Sequence, residues 1–245
     1  MPLWERWLKW PQDVWLRKAL FQIHLWTGIG LGLYIFMISV TGSILVFRNE
    51  LFIRDESGRN RGDTPFITFL LDLHDNLLAG DTGRAINGIA ALLVILLAVT
   101  GAVIWWPGIR NWRRSLIVDL RSNWKSLNWS LHSTMGIWFL FFVLMWGVTG
   151  IYLSFPEMFS AVADFFEPID YTSPDYTERS SDRILYWLAY GHFGRFERRI
   201  PGCGETCDLM LKAVWAGAAL VPPALFVTGA VMWWNRVLRR GSQKP

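Results

Sequence analysis

Apolar residues dominate four stretches of the chain, about Ile23 to Phe47, Ile86 to Trp106, Leu131 to Phe155 and Leu209 to Trp234. Crossing roughly 30 Å of hydrocarbon takes about 20 such residues in a helix, so each stretch is long enough to span a bilayer. Apart from histidines near two of their starts and Lys212 near another, the four are almost uncharged. Four crossings place both termini on one side. Between the spans, Phe66 to Leu78 and Ile184 to Phe196 mix apolar residues with charges at helical spacing, which predicts short helices at the outer interface. Asp55 to Thr64 and Asp170 to Asp182 are polar and turn-rich and predict exposed loops. Trp4 to Ala19 predicts an interfacial amphipathic helix with indoles at headgroup level. The expected fold is an all-α integral membrane protein, residues 1–245 forming a single membrane domain with four transmembrane helices.

Composition agrees with that pattern. Of 245 residues, 52 % are hydrophobic and 16 are tryptophan, too apolar for an ordinary soluble domain. The first twenty residues carry charges and tryptophans where a cleavable signal needs an unbroken apolar core, so no cleavage is expected. The net charge of +4 does not point to nucleic acid, because the basic residues flank the spans instead of forming a separate basic surface. Their distribution sets an orientation. The N-terminal segment, residues 107–130 and the C-terminal tail hold 13 Lys+Arg against three acids, whereas residues 48–84 and 156–208 hold 10 against 17. The positive-inside rule then expects both termini in the cytoplasm and the acidic loops outside.

Each span carries the same tripeptide: Val40-Thr41-Gly42, Val99-Thr100-Gly101, Val148-Thr149-Gly150 and Val227-Thr228-Gly229. His24 precedes Gly42 by 18 residues, and His132 precedes Gly150 by the same interval. The chain therefore reads as two tandem two-helix repeats, one from about residue 21 to 106 and one from about 129 to 234. Both begin on the cytoplasmic side, so the repeat is parallel, about an axis along the membrane normal. The Thr-Gly pairs have a sufficient structural explanation: small residues let helices approach, and a threonine hydroxyl can bond a backbone carbonyl.

The chain has four histidines, each near the start of a repeat element. His24 and His132 open the first and third spans; His74 and His192 lie in the predicted outer helices. A 25-residue helix is roughly 37 Å long, so the two sets are expected at opposite membrane faces and form two sites, not one. An ionisable residue in a membrane is costly unless it has a partner, and neutral imidazole is a standard axial ligand of haem iron. No C-x-x-C-H motif is present, so a haem here would be b-type. The expected cofactors are two b-type haems, one on His24 and His132 at the cytoplasmic side and one on His74 and His192 at the outer side. Gly28, Gly32 and Gly136 fall on the histidine faces of their helices and would let a flat ring approach the backbone; Gly191 and Gly194, and Gly80 and Gly83, could serve the outer histidines. Interfacial histidines satisfied by water, or zinc or copper binding, are the competing explanations, although cysteine and carboxylate companions are not obviously placed in the spans.

The segments His24-Leu-Trp-Thr-Gly28, Leu73-His74 with Gly80-Asp-Thr-Gly83, Leu131-His132 with Gly136, and Gly191-His192-Phe-Gly-Arg-Phe196, together with the Val-Thr-Gly repeats, resemble the PepSY-associated transmembrane proteins over nearly the whole chain. That family includes inner-membrane ferric-siderophore reductases and iron-uptake proteins of bacteria. The resemblance implies a bacterial inner-membrane location, haem on histidines and electron delivery to a periplasmic ferric chelate. The outer loops are too short for the PepSY domains of longer relatives, and Cys203-Gly-Glu-Thr-Cys207 looks like a local addition, either a small structural disulfide or a redox-active pair.

No nucleotide or flavin fingerprint is present, so electrons are expected from a quinol or a cytoplasmic reductase. Arg48, Arg84, Arg195 and Trp26 are candidate neighbours of haem propionates. Two rival functions remain: a haem-bearing subunit that serves a periplasmic oxidoreductase, and a cofactor-free accessory or permease subunit.

Overall fold

The computed structural model describes residues 2–50, 64–168, 179–194 and 204–238, and every regular element among them is helical. The elements are α1 (Leu3–Lys9), α2 (Trp15–Leu45), α3 (Pro65–Asn76), α4 (Gly80–Trp105), α5 (Trp124–Trp138), α6 (Leu140–Ser154), α7 (Pro156–Phe166), α8 (Ser180–Phe193), α9 (Glu205–Ala219) and α10 (Val221–Trp233).

Three helical stretches are long and apolar enough to cross a membrane: α2, α4 and Glu205–Arg236. The α5–α6 pair becomes a fourth if it is taken as one broken span. The third predicted span is thus not a straight helix: α5 and α6 meet at a 58° bend, where Phe139 leaves helical geometry at φ −99, ψ 7. No proline or glycine marks that position. The fourth span is interrupted at Leu220, beside Pro222 and Pro223, whose missing N–H groups break the helical ladder. The N-terminal helix also differs from expectation. It stops at Lys9, a 3₁₀ turn occupies Pro11–Asp13, and α2 begins four residues later than Pro11, because proline cannot continue the hydrogen bonding of α1. Both helices predicted between the spans form, as α3 and α8, and α7 is a further short helix after α6. α3 is fixed at its start by Thr64, whose hydroxyl accepts from Ile67 N at 3.2 Å. The loop expected at residues 55–64 lies outside the described residues except for Thr64, as do residues 170–178 of the loop expected at 170–182, whose last three residues instead open α8.

Burial runs opposite to that of a soluble protein. Large apolar side chains face outward, with Leu33 at 76 % and Phe141 at 72 % exposure, while Thr100, Thr149 and Lys212 are at 1–2 %. Lipid solvates the apolar exterior, and the polar groups must satisfy one another inside.

The chain divides into two compact units. The first consists of Met1–Val40, Leu93–Leu144 and Leu220–Pro245. Within it, Trp106 Nε1 donates to Trp7 O at 3.3 Å and Ile109 N to Leu8 O at 3.1 Å, which ties α1 to the segment after α4. Asn128 on α5 donates to Thr228 O on α10 at 2.9 Å. The second unit consists of Thr41–Leu92 and Met145–Ala219. In it, Ser43 donates to Ala216 O at 2.9 Å, joining the end of α2 to α9, and Trp215 Nε1 donates to Gly191 O at 2.9 Å, joining α9 to α8. Arg179 clamps α7 to α8 through Asp164 at 2.6 Å and Asp182 at 2.8 Å. Each unit contains two of the four histidines.

Candidate functional site

In the first unit, His24 on α2 and His132 on α5 have ring centroids 6.5 Å apart and planes at 87°. His24 Nδ1 lies 3.1 Å from both Leu97 O and Thr100 Oγ1 on α4. His132 Nδ1 lies 2.9 Å from Thr228 Oγ1 on α10. In the second unit, His74 on α3 and His192 on α8 have centroids 6.3 Å apart and planes at 64°. Thr41 Oγ1 on α2 is 2.9 Å from His74 Nδ1, and Thr149 Oγ1 on α6 is 2.8 Å from His192 Nδ1. The histidines expected to pair do come together, two by two.

These hydrogen bonds determine where the ring protons sit. Thr100, Thr149 and Thr228 each donate their single hydroxyl proton to the carbonyl four residues earlier, at 2.7, 2.7 and 2.8 Å. A hydroxyl so committed can only accept from the imidazole, so Nδ1 carries the proton. The Leu97 carbonyl imposes the same tautomer on His24, since it has no proton to give. On His24, His132 and His192 the other nitrogen, Nε2, then carries the lone pair. His192 lies outside the candidate spans, and burial, with a smaller contribution from the neighbouring His74, lowers its pKa to about 3, so its ring is neutral.

The glycine after three of the four threonines has a matching use. A Cβ at Gly42 would stand 2.9 Å from His74 Cε1, one at Gly101 3.0 Å from His24 Cε1, and one at Gly229 3.3 Å from His132 Cε1. These imidazoles lie directly on the backbone of the helix that holds them. Gly150 departs from the pattern, since a Cβ there would meet Ala91 Cβ at 3.4 Å and not His192. Main-chain contacts add support: Asn87 Nδ2 donates to His74 O at 2.8 Å, and Trp146 Nε1 to His192 O at 3.3 Å.

The glycines singled out beside the histidines have more varied surroundings. Gly28 and Gly136 leave 3.6 and 3.9 Å from an added Cβ to the Leu97 and Leu225 methyl groups. Beside Gly32, the space expected for a flat ligand holds the Phe226 ring, 1.9 Å from where a Cβ would be. Gly83 accommodates Asn76 O and Gly194 accommodates Trp215, whereas Gly80 and Gly191 border open space. Arg84 pairs with Asp75 at 2.6 Å and Trp26 is 56 % exposed. Arg195 and Cys203 lie outside the described residues, while Cys207 is engaged in a disulfide.

The four threonines and three of the glycines are site residues that sequence reasoning assigned to helix packing alone. The available signal was numerical: four Thr-Gly pairs, one per span, for four histidines. Among the described residues no group of three or more His, Cys, Asp or Glu converges on a point. A structural zinc site takes four such ligands, so two imidazoles with their Nδ1 atoms already committed fit that metal poorly.

The family model for the PepSY-associated TM region matches residues 51–178 and 169–236. The uncharacterized protein PA4219 of Pseudomonas aeruginosa is 32 % identical over 89 residues, which is 35 % of this chain and 21 % of that protein. The chain thus covers about a fifth of the length of this curated relative.

Proposed function

The chain belongs to the PepSY-associated TM family, and we propose that it is a di-haem b membrane electron-transfer protein that reduces a ferric siderophore or similar ferric chelate at the periplasmic face. In this reading His24 and His132 hold one haem and His74 and His192 the other. The observation that carries it is the spacing of the rings. With metal–nitrogen bonds of about 2.0–2.1 Å and about 1.1 Å from nitrogen to ring centre, two imidazoles on opposite faces of one metal have centroids about 6.3 Å apart. The two pairs measure 6.5 and 6.3 Å.

The residues around each pair fit the same group. A ligating imidazole needs an unprotonated nitrogen toward iron and a hydrogen-bond partner on the other; Thr41, Thr100, Thr149 and Thr228 supply the partner. Gly42, Gly101 and Gly229 let the rings sit close enough to their helices to be oriented by them. Bound there, between His24 and His132 and between His74 and His192, haem would supply reversible one-electron chemistry. The protein contributes fixed ligand orientation and an apolar exterior matched to lipid.

The pattern of contacts also supports two tandem repeats. His24 with Thr100 corresponds to His132 with Thr228, and His74 with Thr41 corresponds to His192 with Thr149. We place both termini in the cytoplasm of a bacterial inner membrane, because the basic segments flank that side. Quinol or a cytoplasmic reductase would supply electrons, and reduction of ferric iron would weaken its hold on hard oxygen chelators. Ferric chelates are favoured over a periplasmic oxidoreductase on family grounds.

Purified protein is expected to give a low-spin b-type spectrum on reduction with two haems per chain. His24→Ala is expected to remove one and leave the other. A colourless, folded preparation rejects the reading. Stopped-flow reoxidation by ferric chelates should be faster than by unrelated acceptors; equal rates would favour the oxidoreductase-subunit alternative.

A further inference from the structure

Two hydrogen-bond donors in the first unit are buried and have no partner among the described residues: Arg17 Nε on α2 and Trp233 Nε1 at the end of α10. An unpaired donor in a low-dielectric interior is costly, so each calls for an acceptor that the chain itself does not supply.

The contacts of the histidines place both donors. Gly229 on α10 lies against His132, and Trp233 follows it by four residues, so it shares the face of α10 that meets the ring, about 6 Å further along the helix. Arg17 precedes His24 by seven residues, two turns along the same face of α2. Its Nη1 donates to Gln12 Oε1 and its Nη2 to Ile104 O, three residues past Gly101, the glycine that lies against His24. Both acceptors are neutral, so the guanidinium still lacks an anion among the described residues. Arg236, three residues after Trp233, lies over the Phe21 ring at 4.7 Å, which sets the end of α10 against the turn of α2 that follows Arg17. Both orphaned donors therefore sit on the same side of the His24–His132 pair. The repeat sharpens the contrast. Trp105, four residues past Gly101, is the counterpart of Trp233, and its Nε1 does have a partner, Ser115 O at 3.4 Å. An ordinary interfacial indole is met by water; the Trp233 nitrogen is shut off from it.

We propose that Arg17 Nε and Trp233 Nε1 bind the propionate carboxylates of the haem on His24 and His132, an inference that rests on the haem reading above. A b-type haem has no covalent bond to the protein, and its two carboxylates lie on one edge. Ionic hydrogen bonds at that edge fix how the ring is turned between its two ligands. The guanidinium brings the charge and the indole a second, neutral donor.

The experiment titrates full-length protein, produced without haem and held in nanodiscs, with haemin and with haemin dimethyl ester, whose two carboxylates are capped. Trp233→Phe and Arg17→Gln should each weaken haemin binding at the His24–His132 site roughly 10–100-fold, as loss of a hydrogen bond to a charged group does. Neither should weaken binding of the ester, nor binding of haemin at the His74–His192 site. Trp233→Phe keeps an aromatic ring in place and decides the matter if Arg17→Gln fails to fold. Equal losses for haemin and ester would assign the two residues to packing or to a lipid phosphate and overturn the inference, as would unchanged haemin affinity in both variants. A folded wild type that takes up no haemin overturns it together with the reading beneath it.

Discussion

Replacing Thr228 with valine separates the hydroxyl from the shape of the side chain. Valine keeps the branched β-carbon and nearly the same volume, but removes the oxygen that lies 2.9 Å from His132 Nδ1. Thr228 also donates to Ala224 O at 2.8 Å; that carbonyl keeps its place in the helical ladder, so the loss falls on the imidazole. An ordinary hydrogen bond contributes a net ~0.5–1.5 kcal/mol, and the Leu225 carbonyl, a second partner of the His132 ring, keeps the N–H from being left wholly unpaired. At ~1.4 kcal/mol per tenfold change, the upper figure corresponds to roughly tenfold. Removing the partner of a metal-bound histidine typically costs about 10–100-fold in affinity, so the two estimates meet at the lower end. The assay is haemin titration into protein produced without haem, followed by absorbance. Thr228→Val should weaken the His24–His132 site about tenfold and leave the His74–His192 site intact. Thr228→Ser, which keeps the hydroxyl, should stay near wild type. Unchanged affinity in the valine variant, or equal damage in the serine variant, would refute the assignment of Thr228 as the residue that fixes the ring.

Gly42→Ala and Gly101→Ala should each disturb their imidazole more than Gly229→Ala, because an added Cβ would stand 2.9, 3.0 and 3.3 Å from Cε1 respectively; overpacking of this kind costs ~1–3 kcal/mol, and retained haem per chain reports the order. Gly83→Ala should lower the melting temperature sharply, since its Cβ would stand 1.6 Å from the Asn76 carbonyl oxygen, and a melt equal to wild type would show that the turn before α4 adjusts freely. Glu167 accepts from Ser181 N at 2.8 Å and Ser180 N at 3.2 Å, hydrogen bonds that hold its carboxyl below the ordinary range, with Arg179 assisting. The stabilisation is therefore present above the ordinary carboxylate pKa and lost as pH falls through the depressed value. Hydrogen exchange at the Ser180 and Ser181 amides should show that added acid-side loosening, and Glu167→Gln should abolish it.

The spans were legible because twenty consecutive apolar residues have few other uses, and the outer helices because His74 and His192 sit in stretches of helical period. The break at Phe139 was not legible: nothing in Trp138-Phe139-Leu140 forbids continued helix, so packing decides it. The end of α1 and the start of α7 were legible in principle, since Pro11 and Pro156 are a helix stop and a first-turn residue. The pairing of the histidines followed from the repeat. The identity of their partners did not, because the repeat says that Thr41 resembles Thr100 without saying which helix each one touches. His24 reaches to α4 and His74 to α2, a crossing that only tertiary contacts reveal.

That crossing also explains why helix packing alone is an insufficient account of the Thr-Gly repeat. A threonine needed only to let helices approach would be satisfied by its bond to the carbonyl four residues earlier, as Thr100, Thr149 and Thr228 already are. Each instead accepts a second bond from a ring nitrogen, and so forces the proton onto Nδ1. Both rings of the His24–His132 pair then present acceptors at Nε2, and among the described residues no hydrogen bond engages Nε2 of either. Two neutral imidazoles free to choose would do better with one donating to the other. Thr100 and Thr228 deny this pair that choice, in a protein interior where an unpaired acceptor is costly, and so leave each Nε2 able to give its lone pair to an electron-pair acceptor placed between the rings. On the reading proposed above an iron porphyrin would be that acceptor, and the hydroxyls of Thr100 and Thr228 would be what holds its ligands ready.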